Sequence, residues 1–178
     1  MSTYGRELAA LRTRTTTPDG RVEAKMRGDF DVRVRFVNDG HPGYAESELS
    51  AVLSRLLTDL MDQHRKGRAR IADRAGLTCY DSETRPHWHK PTREFMAQRD
   101  ATVVSGDSPN GVVRVATKGF RRFRVDIAPG AGNRLTGDEL CRDLQSTVQR
   151  LGEDYRAVVF EMREAFHAIP GNANPSRG

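Results

Sequence analysis

Charged and apolar residues alternate in two short runs near the start of the chain. Residues 22–26 place Val, Ala and Met at every second position, and residues 30–36 do the same with Phe and Val. A period of two is typical of a β-strand that buries one face. Gly28 stands between the two runs and predicts a tight turn. We therefore expect an antiparallel hairpin in this part of the chain.

The same pattern recurs 91 positions later, as the separation of Pro18 and Pro109 shows (109 − 18). Both copies begin with a Pro-x-Gly turn and reach a second glycine before the next alternating run. Repetition at a fixed spacing indicates one structural unit written twice. At this offset the following residues of the first copy meet an identical residue: Pro18, Gly20, Val22, Gly28, Arg33, Val34, Glu48, Leu49, Leu53 and Leu60.

A long amphipathic helix is predicted after each hairpin, because apolar residues fall at steps of three and four. Each helix runs for roughly 30 residues, or about 45 Å at 1.5 Å per residue. Such a helix extends beyond a small hairpin, so we expect the long helix of the other copy to cover its apolar stripe. The stripes are Leu49, Leu53, Leu56, Leu57, Leu60, Met61 and His64, and then Leu140, Leu144, Val148, Leu151, Tyr155, Val158, Val159 and Met162.

Shorter helices are predicted before the hairpins, in YGRELAALRT and PTREFMAQRD. The expected fold class is therefore α+β, with two tandem units that each hold a short helix, an antiparallel hairpin or small sheet, and a long helix. We place the first unit at residues 1–76, a polar connector at 77–92 and the second unit at 93–170. Residues 171–178 are small and polar, and we expect them to be disordered.

Composition narrows the class of protein. Of the 178 residues 37% are hydrophobic and 30% are charged, and no apolar run approaches the roughly 18 residues of a membrane span. The polar start MSTYGRELAALRTRTTT contains no apolar signal segment. Two cysteines, Cys79 and Cys141, are too few for a disulfide scaffold and fit a reducing compartment. We expect a soluble, cytoplasmic protein.

Basic residues exceed acidic ones by 29 to 24, which gives a formal net charge of +5. Only four of the 29 are lysines, so 25 are arginines (29 − 4). The planar guanidinium group suits two-point contacts with phosphate. A mild basic excess is also what a well-solvated surface shows, so the placement of the cations has to decide between the two readings.

Several of these stretches resemble the YbaB/EbfC family of nucleoid-associated proteins. In RELAALRTRTTTPDGRVEAKMRG a helix ending in ELAAL is followed by a threonine-rich lead-in to a strand, an Asp-Gly turn, a Val-x-Ala strand and a glycine turn. QRDATVVSGDSPNGVVRVATKGF repeats the order, and ESELSAVLSRLL and GDELCRDLQSTV are similar to the family's Glu-Leu helix start. The resemblance covers residues 4–76 and 93–168.

The resemblance implies a fold and a function. Members of the family carry one copy per chain and form tweezer-like dimers, and many bind double-stranded DNA with little sequence preference. Two copies in one chain therefore imply an intramolecular pseudo-dimer, which could still associate into a homo-oligomer. The implied place of action is the nucleoid.

Candidate phosphate contacts come from two regions. The run HRKGRARIADR would place five cations within about 15 Å of helix axis, and the polar faces of the predicted strands carry further cations, among them Arg21, Lys25 and Arg114. We weight the helix run more heavily, because Glu23, Asp29, Asp31 and Asp126 dilute the strand faces. The candidates are Arg65, Lys66, Arg68, Arg70 and Arg74 on the helix, Arg27, Arg33 and Arg35 on the first hairpin, and Lys118, Arg122 and Arg124 on the second. The alternative is that these cations form an ordinary solvated surface of an arginine-rich protein and contact no phosphate.

The connector CYDSETRPHWHK offers three further residues with metal-binding chemistry. His87 and His89 would point the same way on an extended segment, and Cys79 is near in sequence, but no fourth ligand has a recognised spacing. We expect a linker, with Trp88 packing it onto the body or contacting a partner. No catalytic or cofactor-binding motif is present, so we expect neither an enzyme nor a cofactor.

A second function remains open. Proteins resembling this family also occur as accessory components of type VII secretion in actinobacteria, whose genomes favour arginine. The long helices would then dock a protein partner, and DNA would play no part. A continuous positive surface would favour DNA, and an exposed apolar stripe along the helices would favour a protein partner.

Overall fold

The computed structural model describes residues 3–28, 30–38 and 44–169, which form a mixed α+β structure, as expected. Residue 170 and the tail 171–178, which we predicted to be disordered, lie outside the described residues. The first half contains α1 (Thr3–Ala10), β1 (Arg12–Thr16), β2 (Val22–Arg27), β3 (Asp31–Phe36) and α2 (Glu46–Arg74). The second half contains α3 (Lys90–Ala101), β4 (Val103–Asp107), β5 (Val113–Lys118), β6 (Arg122–Ile127), α4 (Ala131–Arg134) and α5 (Gly137–Ala168).

The strands form two three-stranded antiparallel sheets, with the orders β1-β2-β3 and β4-β5-β6. Both predicted hairpins are present, as β2–β3 and β5–β6. The alternation alone missed the third strand of each sheet. In β1 the sequence RTRTT has no apolar residue, so its inward side chain Thr13 gives no hydrophobic signal, although it is buried.

The turns around the hairpins match between the copies. Gly20 and Gly111 have φ values of +72° and +69°, and Gly28 and Gly119 have +60° and +61°. This left-handed region is open to glycine and costly for other residues. The turn glycines predicted from the repeat therefore adopt the same left-handed conformation in both copies.

The two long helices have 29 and 32 residues, close to the predicted length. All seven predicted stripe residues of α2 are buried, and α5 starts at a capping box between Thr136 and Glu139. In α5 the buried stripe ends at Leu151, and Val158 is 36% exposed. The prediction of a buried stripe to the end of α5 is therefore wrong. Helix α3 packs against this distal part, where the rings of Phe95 and Phe166 lie 5.3 Å apart.

Each long helix covers strands of both sheets. Helix α2 packs on β1 and β2 of its own sheet and most closely on β6 of the other, while α5 packs on β4 and β5 and on β3. Within the described residues α2 and α5 do not pack along each other, so our expectation of paired long helices is wrong. The sheets present broader apolar faces than a helix does, and their edges also need hydrogen-bond partners.

Hydroxyl groups of α2 supply those partners to the edge of β6. They lie one helical turn apart and accept hydrogen bonds from alternate backbone amides of the strand, which point away from β5. We call this set the hydroxyl ladder. It comprises Ile127 N to Ser50 Oγ at 3.1 Å, Val125 N to Ser54 Oγ at 2.8 Å, and Phe123 N to Thr58 Oγ1 at 3.0 Å.

Helix α5 likewise supplies a side-chain acceptor to a backbone amide at the edge of β3. The amide of Val34 donates to Gln145 Oε1 at 2.7 Å. Both residues stand 91 positions from a ladder pair, since 34 + 91 = 125 and 54 + 91 = 145. The contacts between the halves are therefore reciprocal, and one hydrophobic cluster draws side chains from both.

Candidate nucleic-acid interface

The outward side of the first sheet carries a dense group of cations. Inward residues such as Ala24 and Val34 are buried, and their neighbours point away from the core. Cross-strand register places Arg14 beside Lys25 and Lys25 beside Arg33. We call this surface the first cationic face. Its charged residues are six cations and two carboxylates, a formal net charge of +4: Arg12, Arg14, Lys25, Arg27, Arg33, Arg35, Glu23 and Asp31.

Glu23 lies on the middle strand of this face, between Thr16 of β1 and Arg35 of β3, and is only 1% exposed. Its Oε1 is 2.8 Å from Arg35 Nε and 3.0 Å from Lys25 Nζ, and its Oε2 forms an ion pair with Arg14. The sequence predicts that Glu23 is one of the exposed acids that dilute this face, but Glu23 is buried. The long side chains of its three neighbours cover it, which the alternation of residue types does not reveal.

The electrostatics of Glu23 follow from this cover. Burial disfavours the carboxylate and raises its pKa, but hydrogen bonds from Lys25 and Arg35 and the charge of Arg14 outweigh burial and hold the pKa of Glu23 below its usual value. Glu23 is therefore ionised at neutral pH. The three cations remain 64%, 51% and 64% exposed for Arg14, Lys25 and Arg35, so the cluster keeps a charge of +2 that faces solvent.

The outward side of the second sheet is less basic. It brings together the predicted candidates Lys118, Arg122 and Arg124 with Arg114, which the alternation also placed on this polar face. Two aspartates on the same side reduce the net charge to +2, and Asp126 lies 3.0 Å from Arg124 Nε. The position equivalent to Glu23 is an arginine here, since 23 + 91 = 114. No buried carboxylate therefore organises this second face among the described residues.

The helix run is less concentrated than its sequence indicates. Arg65 turns towards the connector and hydrogen-bonds with Asp62 at 3.3 Å and Asp81 at 2.5 Å. Arg74 pairs with Glu7 at 3.0 Å.

The remaining cations of the run are exposed but do not all lie on one side of the helix, since Lys66 and Arg70 share a side and Arg68 does not. Lys66, Arg68 and Arg70 are all exposed. Lys66 and Arg68 project from nearly opposite sides of α2, since two residues turn the helix by about 200°. Our heavier weighting of this run is therefore not supported by its geometry, and the first cationic face holds more charge on one surface.

Sequence reasoning missed two cations of the first cationic face. Arg12 and Arg14 lie on β1, the strand that alternation did not identify. The sequence signal for this strand is the alternation of arginine and threonine in RTRTT, where the inward and the outward residues are all polar. A β-branched residue at every second position is still a strand preference.

The connector is anchored to the body, but not through Trp88. Asp81 pairs with Arg65, and Glu83 pairs with Arg121 at 2.9 Å. Trp88 is 76% exposed, so the expectation that it packs the connector down is wrong. Across the described ranges, no group of three or more His, Cys, Asp or Glu side chains is arranged to hold a metal ion.

The cysteine in the first turn of α5 has no sign of activation. Burial raises the pKa of the Cys141 thiol to about 12, with a smaller rise from Asp138 and a lowering by the hydrogen bond to the Phe36 backbone. A thiol with this pKa is a poor nucleophile at neutral pH. Cys141 lies at the position equivalent to Ser50 (50 + 91) and, like Ser50, contacts the edge of a strand of the other half.

Exposed apolar side chains on α5 do not form a continuous stripe. Phe160 is 62% exposed, but Glu164, one turn further on, lies beside it on the same side of the helix and is also exposed. No described helix combines the length and the apolar character needed to cross a membrane.

Comparison with known proteins gives no relative. No model of a known protein family matches the chain, and neither the curated proteins nor the solved structures include a significant match.

Proposed function

We propose that this protein binds double-stranded DNA through the phosphate backbone, with little sequence preference, as the resemblance to the YbaB/EbfC family implies. The observation that carries the proposal is the first cationic face, with a net charge of +4 on one side of a three-stranded sheet. The candidates Arg27, Arg33 and Arg35 belong to this face. The place of action would then be the nucleoid.

The geometry of the face suits a polyanion. Strands lie about 4.8 Å apart and alternate residues about 6.7 Å apart, so the cations form a grid with spacings comparable to those of backbone charges. Phosphate contacts of this kind release counterions and carry no base readout. Four to six contacts predict a slope of log K against log salt between about −3.5 and −5.5.

We further propose that the chain is an intramolecular pseudo-dimer of two family-like units. Support comes from the reciprocal contacts of α2 with β6 and α5 with β3, which use positions related by the repeat. In a dimer of single-copy chains the same contacts would join two subunits. Size-exclusion chromatography with light scattering tests the proposal, with a particle of one chain, 19.9 kDa, expected.

A salt-dependent binding assay tests the DNA proposal. Fluorescence anisotropy of a labelled 30-base-pair duplex would be titrated with protein at several salt concentrations, using unrelated sequences as a check of specificity. The triple variant Arg12→Gln, Arg27→Gln, Arg33→Gln should weaken binding and flatten the slope by about 2 to 3. These residues lie on the first cationic face but do not contact Glu23.

The matched control removes the same charge elsewhere. Arg55, Arg142 and Arg163 are exposed arginines of the long helices, and changing all three to Gln should alter the slope little. A third set, Lys66→Gln, Arg68→Gln and Arg70→Gln, measures the contribution of the helix run. Absence of binding by the wild type at low salt would end the proposal, and equal effects of the first two sets would remove the face as its site.

The rival function is a protein-interaction module, for example an accessory factor of type VII secretion. Its support is the exposure of Trp88 and Phe160, at 76% and 62%. The same titration separates the two proposals, because a protein that acts only by docking a partner has no reason to bind duplex DNA with a steep salt dependence.

A further inference from the structure

We propose that Arg14, Lys25 and Arg35 form a preorganised subsite for one backbone phosphate, held in position by Glu23. The inference rests on the proposed DNA binding and assigns a role within it to an acidic residue. Each cation comes from a different strand, β1, β2 and β3, and all three contact the same buried carboxylate. Glu23 is a positioning residue in this arrangement, since it does not face the ligand.

The donors left over by Glu23 define the ligand. Arg35 uses its Nε and Lys25 one of three N–H groups on the carboxylate, while their remaining donors lie on side chains that are more than half exposed. Three cations less one carboxylate leave a charge of +2 on a small patch. An oxyanion with several acceptor oxygens, such as a phosphodiester, satisfies those donors. A cationic ligand would be repelled, and a neutral apolar ligand would offer the donors no acceptor.

Position is what Glu23 adds. Long basic side chains lose rotamer freedom when they bind, and a face whose cations are already ordered loses less. Without Glu23 the three cations would repel one another and spread into solvent. Simple charge counting gives the opposite expectation, because removing a negative charge from a cationic face should strengthen the binding of DNA. The two readings therefore differ in sign.

Asp31 provides the matched control. It is the other acid of the first cationic face, is 53% exposed, and pairs with Arg33 at 3.0 Å without entering the Glu23 cluster. Asp31→Asn should tighten duplex binding by about threefold, the effect of removing one exposed charge about 6 Å from a phosphate. Glu23→Gln should instead weaken binding by about fivefold at the same salt concentration, the cost of ordering one long side chain anew.

The experiment is the anisotropy titration with wild type, Glu23→Gln and Asp31→Asn, with the log–log salt slope as the second readout. A flatter slope for Glu23→Gln, despite its added positive charge, supports the subsite, since a purely structural loss would not change the number of phosphate contacts. Binding by Glu23→Gln that equals or exceeds that of wild type overturns it. Failure of the wild type to bind DNA refutes the proposed function, and the subsite falls with it.

A second pair of variants decides the matter if Glu23→Gln does not fold, as judged by circular dichroism. Arg14→Gln and Arg12→Gln remove the same charge from the same strand, but only Arg14 contacts Glu23. Arg14→Gln should cost at least threefold more affinity than Arg12→Gln. Equal losses would mean that the face acts through charge alone, and the subsite would be wrong.

Discussion

Replacing Ser54 with alanine removes the central hydroxyl of the ladder between α2 and β6. The hydroxyl accepts the amide of Val125 at 2.8 Å and donates to Ser50 O at 2.6 Å. Val125 is 1% exposed, so water has little access to the amide once the hydroxyl is gone. The substitution therefore leaves a buried donor without its partner.

The size of the effect can be worked from these contacts. A buried amide left unsatisfied costs about 1–3 kcal/mol. Alanine is the better helix former and returns about 0.5 kcal/mol. The net loss is about 1–2 kcal/mol for a typical case, and in a chain of this length each kcal/mol lowers Tm by about 2–4 °C. Ser54→Ala should therefore melt about 2–8 °C below the wild type.

Urea unfolding and thermal melting, both followed by circular dichroism, measure the loss. Ser146 supplies the control, because it is an exposed serine of the other long helix whose hydroxyl bonds only to Asp143 O within the described contacts. Ser146→Ala should be neutral or slightly stabilising through helix propensity. If the two variants have equal stability, the ladder does not hold the halves together and the reasoning about the β6 edge is refuted.

Three further outcomes are expected. Gly119→Ala should destabilise more than Gly20→Ala in urea unfolding, since both have positive φ but only at Gly119 would a Cβ lie 2.6 Å from a backbone oxygen; equal losses would contradict this. At pH 8 a thiol-reactive dye should modify Cys79 quickly and Cys141 only on unfolding, and two fast thiols would be inconsistent with the pKa of about 12. Because the pKa of Glu23 is lower in the folded chain than its ordinary value of 4.5, its ionised form stabilises the fold above pH 4.5, and this contribution is lost as pH falls through the folded-state pKa. Glu23→Gln should therefore flatten the curve of stability against pH below pH 4.5. An unchanged curve would argue against the buried ion cluster.

Local features of the fold were predictable from sequence because each has its own periodic or conformational signal. The apolar steps of α2 identified every stripe residue from Leu49 to His64, and the glycines of the repeat marked turns that need positive φ. β1 was not predictable from hydrophobic alternation, because both of its faces are polar. Its inward Thr13 is buried, and its hydroxyl lies 3.0 Å from His64 Nδ1, a polar contact that hydrophobic alternation does not signal.

The arrangement of the elements was harder to predict. Periodicity says that a helix has a face to bury, but it does not say which surface covers that face, and so the pairing of α2 with α5 was wrongly expected. The serine spacing of α2 could have signalled an edge strand, yet serines on a helix are more often solvated. The burial of Glu23 depends on three side chains from three strands, and Arg14 belongs to a strand that had not been recognised.

The two copies differ at an equivalent position, Glu23 in the first and Arg114 in the second, and this difference affects how many duplexes one molecule could hold. A two-fold dimer of identical subunits has two binding faces of equal strength, because every substitution occurs twice. Fusion of the copies removes that constraint, and this chain carries faces with net charges of +4 and +2. On the proposed function, rising salt would release the weaker face first, so the protein would bind one duplex at salt concentrations where a symmetric dimer with two equal faces would still cross-link two.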